Sequence, residues 1–347
     1  MSAAIPVAAL RELIAGWIGQ GKLVAAPVQV GDRLLYQALA SAQDAVFDAR
    51  RRPANSIKEF FFPRHEPIFR YRIEGKEIAL AEVAPQEREQ IVIASKPCDA
   101  AALPILDHVF NWDFEDSFYT ARRARTTVVS LACQAHDDAC FCTSLGSGPE
   151  DESGSDAMLH DLGDGQFEVR AITEKGGALF PDRAGKSGDT PGPSCRMAGS
   201  PPNEQFDPAR VARYLAANFE SPPWKDLTLA CLGCGVCAYT CPTCHCFDIV
   251  DEGNAAGGAR VKNWDSCQFP LFTLHASGHN PRAVQPQRQR QRLFHKFLIY
   301  PRKFGTVLCT GCGNCERNCP VGLGVLKVLQ AIDDEAKRLD EKEPLQA

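Results

Sequence analysis

The 347-residue chain is 44% hydrophobic and 23% charged, an ordinary balance that leaves room for a sizeable core and for two domains. Its net charge of −5 argues against a nucleic-acid binder, which is usually basic. Sixteen cysteines read, in a reducing cytosol, as metal ligands or redox groups rather than disulfides.

The opening MSAAIPVAALRELIAGWIGQGK has apolar residues at helical spacing, interrupted by Arg11 and Glu12. It reads as an amphipathic surface helix, not a signal peptide. No run of about 18 uncharged apolar residues occurs, so no membrane span is expected, and the expected location is cytoplasmic. LVAAPVQVGDRLLYQAL reads as two strands joined at Val30-Gly31-Asp32, and FRYRIEGKEIALAEV as two more joined at Glu74-Gly75-Lys76. QIVIASKPCDAAALPILDHVF reads as strand, turn and helix, with the strand at Ile91 to Ala94 and Asp99 as helix N-cap. TTVVSLAC and FEVRAIT are further strands. Residues 181–208, rich in Pro, Gly and Ser, read as a flexible linker or loop in which Cys195 is a free thiol. Beyond it, VARYLAANF, LFTLHASG, QRQRQRLFHKFLIY and GVLKVLQAIDDEAKRLDEK read as helices. The expectation is an α+β protein: a mixed α/β domain over 1–180, the linker, and a mostly helical unit over 209–347.

Two cysteine runs form an internal repeat. Cys231, Cys234, Cys237 and Cys241-Pro242 have the spacing x2, x2, x3, and Cys309, Cys312, Cys315 and Cys319-Pro320 repeat it. This is the bacterial ferredoxin spacing for a [4Fe–4S] cluster. Three thiolates two residues apart wrap one cubane, and the glycines between them permit close backbone approach. In such two-cluster proteins the fourth cysteine ligates the other cluster. One cluster is therefore expected on Cys231, Cys234, Cys237 and Cys319, and a second on Cys309, Cys312, Cys315 and Cys241. Structural zinc, the competing use, favours two separated cysteine pairs.

The other cysteines divide into two sets. Cys98 and Cys133 follow two strands and share an edge if those strands are parallel, the edge where α/β sheets bind ligands. With Cys140 and Cys142 they are enough for a third cluster; the competing reading is small buried hydrophobes. Cys244, Cys246 and Cys267 are only three; a cluster there would need His245, Asp265 or a cysteine from the other domain, and the favoured reading is packing and hydrogen-bonding groups beside the first cluster.

KPCDAAALPILDHVF, CFCTSLGSGP, CLGCGVCAYTCPTCHCFDI, WDSC and RQRLFHKFLIYPRKFGTVLCTGCGNCERNCP together resemble a family of two-cluster electron-transfer subunits. It includes the β subunit of soluble NiFe hydrogenases (sulfhydrogenases) and the A subunit of anaerobic sulfite reductase. The resemblance runs from about Asn55 to Ile332, and it favours an α-helical ferredoxin type for the second unit. It implies a non-catalytic relay of single electrons between a flavin-containing NAD(P)H diaphorase subunit and a catalytic metal-containing subunit, in a hetero-oligomer. The alternative is a stand-alone ferredoxin-like electron carrier.

The segment 281–303 is basic, with Arg288, Arg290, Arg292, His295, Lys296, Arg302 and Lys303. It reads first as a solvated helix face and second as a cationic wall near the clusters. No dinucleotide fingerprint, P-loop, nucleophile elbow or H-E-x-x-H helix occurs, so no flavin, nicotinamide or substrate site is expected in this chain.

Overall fold

The computed structural model describes residues 4–85, 87–181, 201–220 and 223–342. Cys195 and most of the expected linker lie outside them. The strands, in chain order, are β1 (Ile5–Pro6), β2 (Leu23–Val30), β3 (Arg33–Ala38), β4 (His65–Glu74), β5 (Glu77–Glu82), β6 (Gln90–Ser95), β7 (Thr126–Leu131), β8 (Ala157–Gly163), β9 (Gln166–Ala171), β10 (Phe247–Asn254) and β11 (Gly257–Trp264). The protein is α+β.

A seven-stranded sheet has the order β1-β9-β8-β7-β6-β2-β3. Its central strands β2, β6, β7 and β8 are parallel, and β3, β9 and β1 pair antiparallel at the edges. All six residues of β6 are buried, as suits a strand covered on both faces. One face packs on the first helix, Val7–Gly19, through Leu10, Ile14 and Trp17. The other holds Phe61, Phe62, Leu103, Leu106, Phe110 and Tyr119.

Because β6 and β7 are adjacent and parallel, their carboxyl ends deliver Cys98 and Cys133 to one edge. Ala94, next to last in β6, has φ 57°, and the register shifts between Ile93 and Ser95. This bulge redirects the chain into Lys96-Pro97-Cys98. The helix does not start at Asp99 as expected. Lys96 is the N-cap and Pro97 the first helical residue, since proline is preorganised there and needs no N–H partner. Asp99, inside the turn, accepts a 3.0 Å hydrogen bond from the Tyr36 hydroxyl.

A second sheet has the order β10-β11-β4-β5. It joins the 65–82 hairpin to the 247–264 hairpin through the β4–β11 pairing. The buried Glu66 holds it to the rest of the chain, paired with Arg122 and, at 2.8 Å, with Lys262, which also reaches Asp116 at 2.8 Å. Sequence periodicity did not anticipate β10 and β11; their alternation is weak because β10 is largely exposed. LFTLHASG is not a helix either but a series of turns. Its two helix-favouring leucines sit between Pro270 and Gly278, too close together for a stable helix.

Helices at Pro208–Ala217, Gln285–Phe294 and Val325–Lys342 enclose a third core of Phe206, Val211, Leu215, Leu293, Phe297 and Leu329. The middle helix continues through a π turn at His295–Ile299, a distortion common at functional sites.

Candidate metal centres

The repeat seen in the sequence is also a repeat in the backbone. Gly235 (φ 75°) caps the short helix Val236–Tyr239, and Gly313 (φ 74°) caps Asn314–Arg317. Each conformation belongs to the left-handed region that glycine reaches without cost. The two runs are neighbours: Asn314 Nδ2 donates to Thr240 O at 3.3 Å.

In the first run, Cys231 Sγ accepts from Gln285 Nε2 at 3.1 Å and Gln289 Nε2 at 3.0 Å. Cys237 is buried, and burial pushes its thiol up to about 12 against the pull of Arg292. Cys234 is exposed. Cys319 lies on the turn before the terminal helix, its Sγ accepting from Leu323 N at 3.2 Å.

Cys309, Cys312, Cys315 and Cys241 act on one another electrostatically. Burial pushes Cys309 up to about 12, with the Cys241 and Cys315 charges adding. Burial likewise raises Cys312, with Cys98, Cys241 and Cys315 adding, and raises Cys315, where Cys241 contributes. Cys241 goes the other way. Hydrogen bonding with Cys244 and the nearby Lys296 hold it well below the usual thiol range, and Lys296 Nζ stands 3.5 Å from its Sγ.

Cys98, Cys133, Cys140 and Cys142 line one pocket with Arg52, His136 and Gly311. Arg52 bridges two of them, at 2.5 Å to Cys98 Sγ and 3.6 Å to Cys133 Sγ. Arg317, on the second run's short helix, donates to Cys140 Sγ at 3.0 Å. The pocket lies against the second run. Phe141 N donates to Gly311 O at 3.0 Å, and a Cβ on Gly311 would meet Cys142 N at 2.5 Å.

Among the cations around these thiols, sequence reading missed Arg52 and Lys58, while Arg292 and Lys296 belong to the basic segment whose second reading was a cationic wall near the clusters. Arg52, Lys58, Arg292 and Lys296 come from distant segments and sit among cysteines; Lys58, Arg292 and Lys296 are buried and Arg52 is half-buried. None makes a direct ion pair with a carboxylate among the described residues. Arg52 Nε and Arg292 Nε have no hydrogen-bond partner. Burial lowers the basicity of Arg52 and Arg292, yet the surrounding thiolate charges raise both well above the ordinary value. The basic segment is therefore not a solvated face along its whole length: Arg288, Arg292 and Lys296 are buried, four residues apart on one side of the helix.

Buried cations need buried anions. A cubane on four thiolates is anionic, so these donor sets and their orphaned guanidinium atoms fit iron–sulfur clusters. Among the described residues, no three His, Cys, Asp or Glu side chains gather tightly enough for a single metal ion. Thiolates on separate irons stand farther apart than ligands around one tetrahedral zinc.

These features define the class: an iron–sulfur electron-transfer protein with [4Fe–4S] clusters. The profile of a family described as "4Fe-4S dicluster domain" matches residues 230–323. Over 288 residues the chain is 30% identical to the sulfhydrogenase 2 subunit beta of Pyrococcus furiosus, an alignment covering 79% of this chain and 82% of that protein. The chain belongs to this sulfhydrogenase β-subunit family. No solved structure matches it. No helix among the described residues is long and apolar enough to cross a membrane.

Proposed function

We propose that the chain is a cytoplasmic relay for single electrons between a flavin-containing NAD(P)H diaphorase subunit and a catalytic metal-containing subunit, of NiFe hydrogenase or sulfite reductase type. Cys231, Cys234, Cys237 and Cys319 hold one [4Fe–4S] cluster, and Cys309, Cys312, Cys315 and Cys241 a second. Cys98, Cys133, Cys140 and Cys142 hold a third. Residues 1–180 and 209–347 are read as the two units that bring these groups together. When bound, the clusters supply one-electron chemistry. The chain's own residues space them, bury them and place cations beside them.

The observation that carries this reading is the contact between the thiol-bearing segments. The CFC segment meets the second run at Phe141 N–Gly311 O, 3.0 Å, and the second run meets the first at Asn314 Nδ2–Thr240 O, 3.3 Å, which supports three neighbouring sets; Cys234, Leu229 and Leu232 are exposed. Such an exposed stretch suits the approach of a partner's redox group.

Anaerobic purification of the tagged chain from its host tests the partners. A flavoprotein and a metal-containing subunit are expected to co-elute. A chain that runs alone, fully loaded with iron, would point instead to a free carrier.

A further inference from the structure

Cys244, Cys246 and Cys267 stand outside the three groups, and all line one cavity of about 440 Å³. Arg282, Arg292, Lys296, His245 and His295 share its wall, and no carboxylate among the described residues does. Cys244 is buried and hydrogen-bonded to Cys241. Cys246 and Cys267 are partly accessible.

Strand pairing brings the latter two together. Phe247 pairs with Trp264 at the end of the β10–β11 hairpin, and Asp265 N donates to Cys246 O at 3.0 Å. The turn closed by Phe269 N on Ser266 O at 2.9 Å then returns Cys267 to Cys246, and the two thiols hydrogen-bond to each other. Both thiols thus lie on the wall of one cavity, brought there by the same end of the β10–β11 hairpin. Cys267 is also within electrostatic reach of Cys237.

We propose that Cys246 and Cys267 are a redox-active dithiol that stores two electrons beside the one-electron centres. On oxidation, the two thiols release two protons into the cavity and two electrons, and one S–S bond forms. One-electron acceptors would take the two electrons singly, and [4Fe–4S] clusters held by the neighbouring thiol groups, Cys237 among them, would supply that chemistry when bound. Reduction reverses every term: two electrons and two protons cleave the S–S bond. The hydrogen bond with Cys246, then Gln268, Arg292 and Lys296, outweigh burial and hold the Cys267 thiol below the ordinary range, the direction that favours a thiolate. The inference rests on the reading of Cys231, Cys234 and Cys237 as cluster ligands.

The test uses the iron-loaded full chain, equilibrated anaerobically in mixtures of reduced and oxidised dithiothreitol, quenched with acid, alkylated and digested. The Cys246–Cys267 disulfide peptide is expected to rise along a single two-electron curve. Thiols that stay alkylatable across the series overturn the proposal. In a reductive titration, the oxidised wild-type chain is expected to take up two electrons more than Cys267→Ala. Equal uptake, or loss of iron from Cys267→Ala, overturns it as well. Should that variant not fold, the disulfide curve of the wild-type chain decides alone. A wild-type chain that carries no iron would refute the cluster reading itself, a result separate from the thiol measurement.

Discussion

Arg292 shows what single residues contribute. Its guanidinium reaches Cys237, Cys315, Cys244 and Cys267 and donates to Cys237 O at 3.2 Å. Leaving such a cation buried without an anion costs several kcal/mol, so the side chain and the clusters depend on each other. Adding an electron makes a centre more negative, and a neighbouring cation favours that state. Arg292→Gln is therefore expected to lower the reduction potential of the adjacent centres. A tenfold change in the equilibrium is about 59 mV for one electron, and EPR-monitored redox titration reads it. The ligands give a sharper outcome. Cys234→Ser is expected to remove about four irons per chain and leave the other centres in place, as measured by iron and sulfide assay with EPR.

At the scale of elements, the second cysteine run and the CFC segment are locked backbone to backbone. Gly311→Ala places a Cβ 2.5 Å from Cys142 N at a φ of +65°, so one segment must move. The expected result is loss of iron from the second and third groups together, with a destabilisation of about 2–4 kcal/mol measured by denaturant unfolding. The terminal helix is tied differently. Asp333, buried, pairs with Arg210 at 2.7 Å and with Lys337 at 2.9 Å. Burial would raise its carboxyl, but those hydrogen bonds lower it below the ordinary value. A carboxylate depressed in the folded state contributes stability that is present above its unfolded pKa, about 3.9, and lost as pH falls through the folded value. Asp333→Asn is thus expected to cost about 1–3 kcal/mol at pH 7, with the difference from wild type shrinking below about pH 4. Thermal melts across pH check this.

At the scale of the molecule, the parts legible in sequence are those set by local pattern. Most strands of the central sheet announce themselves by short apolar runs and glycine turns, though β1 and β8 were not anticipated, and the cysteine runs announce themselves by fixed spacing. The convergence of Cys98, Cys133, Cys140 and Cys142 depended on β6 and β7 being parallel neighbours, which the pairing bears out. What stayed hidden is long-range. Arg52 and Lys58 reach the thiols from segments with no motif, and Lys58 lies 3.9 Å over the Trp264 ring, 206 positions away in a hairpin whose exposed face erases its alternation. The second reading of the basic segment, a cationic wall near the clusters, is the one that Arg288, Arg292 and Lys296 favour, and their four-residue spacing is the signal that one side of the helix is buried. Metal-dependent folds hide this kind of information, because the anion that makes a buried cation tolerable is not written in the sequence.

The central claim is that three thiol groups hold three [4Fe–4S] clusters in succession. Iron and acid-labile sulfide, counted on the anaerobically purified full chain, test it most directly. The account predicts about twelve irons and an equal amount of sulfide per chain. About eight irons would contradict the third centre, and zinc without sulfide would contradict the whole account.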